Sequence, residues 1–381
     1  MIAAALALTL LACSDTVSEA PQPEALDLPA DAGARGVPVG VRTFTEGAAT
    51  YEIWYPAPDA LADTPTDLAD FDAFVPQAFR DHVCAFAFPA LDGRAVRDAA
   101  LRLPEVPYPA VVFSHGFGGM RIQSLDYVTH LASRGYVVIA TDHAGRSMPD
   151  LLPCMFSPPL EGCDLSGFGG EDPGVPGVLG ALDWLTRANA GDVSDAAFLA
   201  GSVDLAHVGL TGHSAGGGTT AEAGALDTRF TALLPMAAPA VADRDVPQLV
   251  MSATCDGIVP DADIAAAVAT RPGTPFLRVQ GAGHLAFSDL CGLGLAELAE
   301  QVLAPRDDLN ARLYEGLLQL ATDGCPGATP APELACGDAF LPIEDGFAPI
   351  RTYATRFFDA ALRGTGEGVT AGTVGAGEVT L

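Results

Sequence analysis

The stretch from His207 to Thr220 constrains the fold more than any other in the chain. It is a short apolar run that stops at Gly212-His213-Ser214-Ala215-Gly216 and continues into small residues able to open a helix. A serine with glycines two places before and two places after it, between strand and helix, predicts a tight elbow. A Cβ at either glycine would strike the neighbouring backbone. The elbow lifts the serine hydroxyl clear of the sheet and sets helix N-terminal N–H groups beside it, where negative charge can develop. Ser214 is therefore a candidate nucleophile, and a simple turn serine is the plainer reading. With 42 glycines in 381 residues the pattern carries little by itself, so the rest of the chain must supply partners.

The runs around it predict a parallel sheet. Pro109–Ser114 reads as a buried strand and Tyr136–Thr141 as a continuously apolar one, while Val208–Thr211, Ala232–Met236, Gln248–Ser252 and Phe276–Val279 read as further strands. Helical spacing falls between them at Ser124–Ser133, Val178–Arg187 and Asp261–Thr270, and again at the closing Arg351–Leu362. Continuous apolar strands alternating with amphipathic helices imply a mostly parallel sheet with helices on both faces, an α/β architecture. Val39–Thr45 and Tyr51–Tyr55 read as two further strands joined by a turn. Trp54, Trp184 and the scattered Phe residues read as core.

In such a sheet, ligands sit beyond the carboxyl ends of the strands. A serine nucleophile needs a base and an acid to orient that base. Asp256 follows the Gln248–Ser252 strand, and His284 follows the Phe276–Val279 strand between glycines. The order Ser, Asp, His on successive strand ends suits serine hydrolysis on a parallel sheet. Asp256 has a plainer role as a cap for the next helix, and Asp289 is a rival acid. Two backbone N–H donors are expected for the oxyanion: Ala215, after the nucleophile, and Phe117, in the His115-Gly-Phe-Gly-Gly119 loop. His115 and His213 read as hydrogen-bonding supports rather than bases. His82, His130, His143 and His207 read as structural or solvent-facing.

Charge narrows the partners. The formal net charge is −29, and all 19 basic residues are Arg. Such a surface repels phosphate backbones and anionic lipid, which excludes nucleic acid as an expected partner. The oligomeric state is left open. Residues 1–13 read as a signal peptide whose Leu10-Leu-Ala-Cys13 ending resembles a bacterial lipobox, although no basic residue precedes it. A plainly cleaved signal or a core segment are the alternatives. Residues 14–36 read as a flexible linker, residues 37–363 as the folded domain with a loop at 146–174 and an insertion at 290–341, and residues 364–381 as a flexible tail. The seven cysteines after Cys13 suggest disulfides in an exported protein, with at least one thiol unpaired. Cys154–Cys163, Cys325–Cys336 and Cys255–Cys291 are the pairings considered. No cysteine or histidine cluster has zinc spacing, so no metal or other cofactor is expected.

Taken together, Phe113-Ser-His-Gly-Phe-Gly-Gly119, Leu131-Ala-Ser-Arg-Gly-Tyr-Val-Val-Ile-Ala140, Gly212-His-Ser-Ala-Gly-Gly-Gly218, Asp256-Gly-Ile-Val-Pro260 and Gly283-His284 resemble the serine α/β-hydrolases over about residues 37–290. The branch they look most like contains platelet-activating-factor acetylhydrolases, dienelactone-hydrolase-like proteins and bacterial polyester hydrolases. The resemblance implies an α/β-hydrolase fold, a Ser214–Asp256–His284 triad with Phe117 and Ala215 as oxyanion donors, and a small ester or lipid-like substrate. Two departures matter. Dienelactone hydrolases carry a cysteine nucleophile where this chain has Ser214. Polyester hydrolases carry a tryptophan after the strand that follows the elbow, where this chain reads Pro235-Met-Ala-Ala-Pro-Ala240. An amidase, a polyester hydrolase and a non-catalytic binding protein of the same fold are the remaining alternatives.

Overall fold

The apolar runs become strands covered on both sides. The computed structural model describes residues 26, 28–83, 87–167, 171–294, 307–311, 336–337 and 340–381. β1 (Val39–Glu46) and β2 (Ala49–Pro56) form an antiparallel hairpin. β3 (Leu68–Ala69), α1 (Gln77–His82) and β4 (Leu91–Asp92) follow, with β3 and β4 paired as a separate ribbon. β5 (Val96–Arg97) lies along β1. Then come β6 (Tyr108–Ser114), α2 (Leu125–Ser133), β7 (Val137–Thr141), α3 (Met148–Leu151) and α4 (Gly174–Ala190). The elbow joins β8 (Val203–His213) to α5 (Ala215–Leu226). β9 (Phe230–Met236), β10 (Val250–Ala253), α6 (Asp261–Ala269) and β11 (Phe276–Val279) complete the parallel part. α7 (Ile343–Arg363), β12 (Gly372–Val374) and β13 (Gly377–Thr380) close the chain.

The main sheet has eleven strands in the order β12-β13-β11-β10-β9-β8-β6-β7-β2-β1-β5. From β7 to β11 every neighbouring pair is parallel. The chain leaves β6 toward β7 and later continues from β8 in the opposite direction. The strand order therefore reverses between β6 and β8, which opens a crevice beyond their carboxyl ends. The loop holding Phe117 and the elbow holding Ser214 both lie there.

Alternation along the strands divides the core. Val111 and Phe113 pack with Leu125, Val128 and Leu131 of α2 and with Ile350, Phe357 and Phe358 of α7. Ala110 and Val112 face the other way, against Val178, Leu182, Trp184 and Leu185 of α4. Successive side chains point to opposite faces of a strand, so only an uninterrupted apolar run can fill both layers. Each fully buried large aliphatic or aromatic side chain contributes about 1.5–3 kcal/mol.

Three expectations are corrected. The last residues are not a flexible tail: β13 pairs antiparallel with β11, and β12 extends the sheet beyond it. Val379 is buried while Glu378 and Thr380 are exposed, an alternation hidden by the surrounding glycines. The open edge of β11 offers unpaired backbone groups that this hairpin satisfies. The end of the linker is also docked. Arg35 donates to Asp126 Oδ1 (2.8 Å) and Thr129 Oγ1 (2.9 Å), and the Gly36 N–H to Ser133 Oγ (3.1 Å). A Cβ at Gly36 would lie 2.2 Å from the Ser133 carbonyl oxygen. Helix α7 starts earlier than its periodicity suggests because it runs through Pro349, which reads as a breaker. The expected signal peptide with Cys13, residues 14–25 and 27 of the expected linker, and most of the expected 290–341 insertion lie outside the described residues. Among the described residues, no helix is long and apolar enough to cross a membrane.

Candidate active site

Ser214 sits at φ 58°, ψ −122°, a backbone region that disfavours any residue with a Cβ and persists only where the surroundings enforce it. They do so here by close packing. A Cβ on Gly212 would come within 2.3 Å of the Gly216 carbonyl oxygen, and one on Gly216 within 2.1 Å of the Ser114 carbonyl oxygen. The Ser214 N–H donates to the Met236 carbonyl (2.9 Å), and its own carbonyl accepts from Gly217 (2.8 Å). The elbow is thus anchored to β9 on one side and to the first turn of α5 on the other.

Asp256 and His284 are brought together from the ends of β10 and β11. His284 Nδ1 lies 2.6 Å from Asp256 Oδ2, and both side chains are buried. The other carboxylate oxygen, Oδ1, accepts from the N–H groups of Ile258 (2.9 Å) and Val259 (2.8 Å). With Nδ1–H donated to a carboxylate, the histidine keeps its lone pair on Nε2, the tautomer required of a base. His284 is adjacent to the elbow, its ring centroid 4.7 Å from that of His213. The rival acid does not reach it. Asp289 pairs with Arg94 (2.5 Å) and accepts from the Asp126 N–H (2.8 Å) at the start of α2. Burial raises its carboxyl above the usual range despite the arginine.

The expected oxyanion loop is tied down on both sides of Phe117. Arg146 donates through Nη2 to the His115 carbonyl (3.0 Å), and the Arg146 carbonyl accepts from the Gly118 N–H (2.8 Å). Gly118 needs its freedom at φ +70°. A Cβ on Gly116 would come within 3.2 Å of the Ser214 Cβ, so the loop runs directly against the elbow. Phe117 is 42% exposed. Ala215 opens α5, and its N–H is among those left without an intrahelical acceptor.

Beneath the loop lies a buried polar layer. His143 Nε2 is 2.9 Å from Ser114 Oγ, and the His143 N–H donates to His115 Nε2 (3.1 Å). Arg146 also donates to Ser114 Oγ (3.1 Å), Asp172 Oδ1 (2.6 Å) and Thr219 Oγ1 (3.0 Å). Burial, reinforced by Arg146, lowers His115 to about 3. Burial, then His115 and Arg146, holds His143 well below the ordinary imidazole range. His213 is likewise depressed by burial and by His284. All three are neutral donors and acceptors, consistent with supporting roles for His115 and His213. His143 belongs with them, while His207 stays on the surface beside Asp204.

Sequence reasoning missed Arg146, Asp172 and Gln123. Arg146 and Asp172 stand in an irregular loop with no motif around them, and Gln123 precedes α2 without a signal of its own. The disulfides need correcting too. Cys154–Cys163 forms as considered, but Cys291 pairs with Cys336, which excludes both Cys255–Cys291 and Cys325–Cys336. Cys255 is itself disulfide-bonded. Spacing alone could not choose among these pairings.

Comparison with known proteins bears on the fold and on the first part of the chain. The family model described as platelet-activating factor acetylhydrolase, isoform II, matches residues 38–150. That span includes the Phe117 loop and ends before Ser214, Asp256 and His284. Among solved structures, the chain is similar to a ferulic acid esterase from Streptomyces cinnamoneus. The match has a TM-score of 0.53 and 23% identity, and covers 86% of this chain and 91% of that one. The sheet order and this match give the chain an α/β-hydrolase fold.

Proposed function

We propose that the protein is a serine carboxylic-ester hydrolase working through an acyl-enzyme. Ser214 Oγ attacks the ester carbonyl while His284 Nε2 takes its proton. Asp256 holds the imidazole and stabilises the charge it acquires. The Phe117 and Ala215 N–H groups receive the oxyanion, His284 returns the proton to the leaving alcohol, and water then deacylates Ser214. The observation that carries this reading is the buried 2.6 Å contact between His284 Nδ1 and Asp256 Oδ2, next to a serine at positive φ. The partial match to the acetylhydrolase family and the esterase neighbour add support.

The substrate is a small ester with a short acyl group. Ala237 and Ala238 follow β9 where polyester hydrolases place an aromatic clamp, which argues against a polymer. A panel of acetyl to long-chain p-nitrophenyl esters, with a phospholipid bearing an sn-2 acetyl group and a feruloyl ester, tests the choice. Acetyl esters should lead, and preference for long chains would reject it. Ser214→Ala should lower kcat on p-nitrophenyl acetate by about 10⁴–10⁶-fold with the protein still folded. Near-wild-type turnover in that variant ends the proposal.

Disulfides at Cys154–Cys163 and Cys291–Cys336 suit an oxidising, extracytoplasmic compartment. A lipid anchor at Cys13 goes with that location. Labelling by radioactive palmitate in a bacterial host, lost in Cys13→Ala, is the expected result, and equal labelling of both would remove the anchor.

A further inference from the structure

Two neutral side chains connect the oxyanion loop to the base, and their chemistry leaves one arrangement. His213 Nε2 lies 2.9 Å from the His284 carbonyl oxygen. A carbonyl only accepts, so Nε2 carries the proton and Nδ1 the lone pair. Gln123 Nε2, 3.1 Å from His213 Nδ1, must therefore be the donor. That orients the amide with Oε1 toward Gly116, whose N–H donates to it at 3.1 Å. The amide and tautomer assignments are forced from one end of the chain of contacts to the other. The pocket is built to this side chain: a Cβ on Gly119 would fall 2.0 Å from Gln123 Oε1. The same turn holds the loop of the base, since the Asp289 N–H donates to the Gln123 carbonyl (2.8 Å) and the Ser124 hydroxyl donates to the Phe287 carbonyl (2.9 Å). Gln123 and His213 are both almost fully buried.

We propose that Gln123, acting through His213, is a positioning residue that sets the oxyanion loop relative to the catalytic base; this rests on the reading of Ser214, Asp256 and His284 given above. Neither side chain reaches the substrate. Gln123 locates Gly116, next to the donor Phe117, and His213 locates the backbone of His284. The two halves of the site receive charge in the same step, so their separation governs how well both are satisfied in the transition state. A misplacement of about 1 Å costs roughly 100-fold in rate.

The test compares Gln123→Met, which keeps the bulk and removes both hydrogen bonds, with His213→Phe and the double variant. Each single change should lower kcat on p-nitrophenyl acetate by about 10–100-fold with KM within about twofold, and the double variant should be little worse than either. Additive losses, or unchanged kcat with only a lower Tm, would mean packing alone and overturn the relay. Gln123→Glu adds a sharper reading. With one proton shared between the introduced carboxyl group and His213, donor and acceptor alternate as before and activity is largely restored. When that proton leaves, two acceptors face each other, so kcat should gain a descending alkaline limb that the wild type lacks. The titratable groups facing the pair are His284 with its partner Asp256, Asp289 paired to Arg94, and His115, whose Nδ1 lies 2.7 Å from the Gly116 carbonyl. A Gln123→Glu profile parallel to wild type would also overturn the relay. Nitrogen-15 NMR supplies a readout independent of turnover: His213 should hold its proton on Nε2 across neutral pH, and a proton on Nδ1 refutes the arrangement. If the wild type neither hydrolyses esters nor labels with a fluorophosphonate, the proposed function fails, and the tautomer still judges the relay.

Discussion

The two sides of the site are held in different ways. On the side of the base, Asp256 is fixed by the N–H groups of Ile258 and Val259, two and three residues further on, and His284 by that carboxylate. On the oxyanion side, support comes from side chains far apart in sequence. Arg146 reaches Ser114, His115, Asp172 and Thr219, while Gln123 reaches Gly116 and His213. In the first arrangement the carboxylate is held by its own short loop, and His284 is brought to it from the end of the next strand. The second is a buried network in which every member depends on the others, and an unmade hydrogen bond costs more there than a made one gains. Substitution at Asp256 should thus act through chemistry alone, and substitution on the oxyanion side through chemistry and stability together.

The largest test of that contrast is Asp256→Asn. It keeps the shape but favours the wrong imidazole tautomer, so kcat should fall by about 10⁴-fold with Tm nearly unchanged; a large drop in Tm would show that this side is a structural network too. Arg146→Ala comes next. It leaves Asp172 without its 2.6 Å partner and frees the His115 carbonyl, so a loss of about 3 kcal/mol in denaturant unfolding should accompany a 10–100-fold fall in kcat. If either loss appears without the other, positioning and stability are separable at this residue and the contrast weakens.

Asp289→Asn separates the rival acid from the chosen one. Its carboxylate serves Arg94 and the N-terminus of α2, so kcat should stay within about twofold of wild type while stability falls by about 1–3 kcal/mol. A loss of activity like that of Asp256→Asn would reverse the assignment. The smallest effect is with pH. His115 titrates near 3 in the fold and at 6.5 when unperturbed; His143 and His213 are displaced in the same direction. Between those limits the unfolded chain binds more protons, so the stability from keeping these rings neutral is complete above about pH 6.5 and declines as the pH falls toward 3. Thermal melts should show Tm falling on acidification through that window, with a shallower slope in His115→Gln. A slope unchanged by that substitution would remove His115 from the account.

The same contrast explains what could be read from the sequence. Ser214, Asp256 and His284 each follow a short strand rich in apolar residues, so strand pattern and loop glycines locate them without knowledge of contacts. The parallel sheet was legible for the same reason, because a strand buried on both faces must be apolar throughout. Arg146, Asp172 and Gln123 carry no periodic signal, and their roles exist only after distant segments meet. The β12–β13 hairpin has no legible signal because its alternation, with Val379 inward between Glu378 and Thr380, spans too few residues among glycines. The Cys291–Cys336 bridge has none either, because any of the spacings permits a bond.

The central claim is that Ser214 becomes acylated with His284 as its base. The most direct measurement is a rapid-quench reaction with p-nitrophenyl acetate, read by the burst of p-nitrophenol and by mass spectrometry of the peptide containing residue 214. The account predicts a burst stoichiometric with protein, an acetyl group on Ser214, and neither in Ser214→Ala. Ester turnover by the wild type with the acetyl group on another residue, or an undiminished burst in Ser214→Ala, would contradict it.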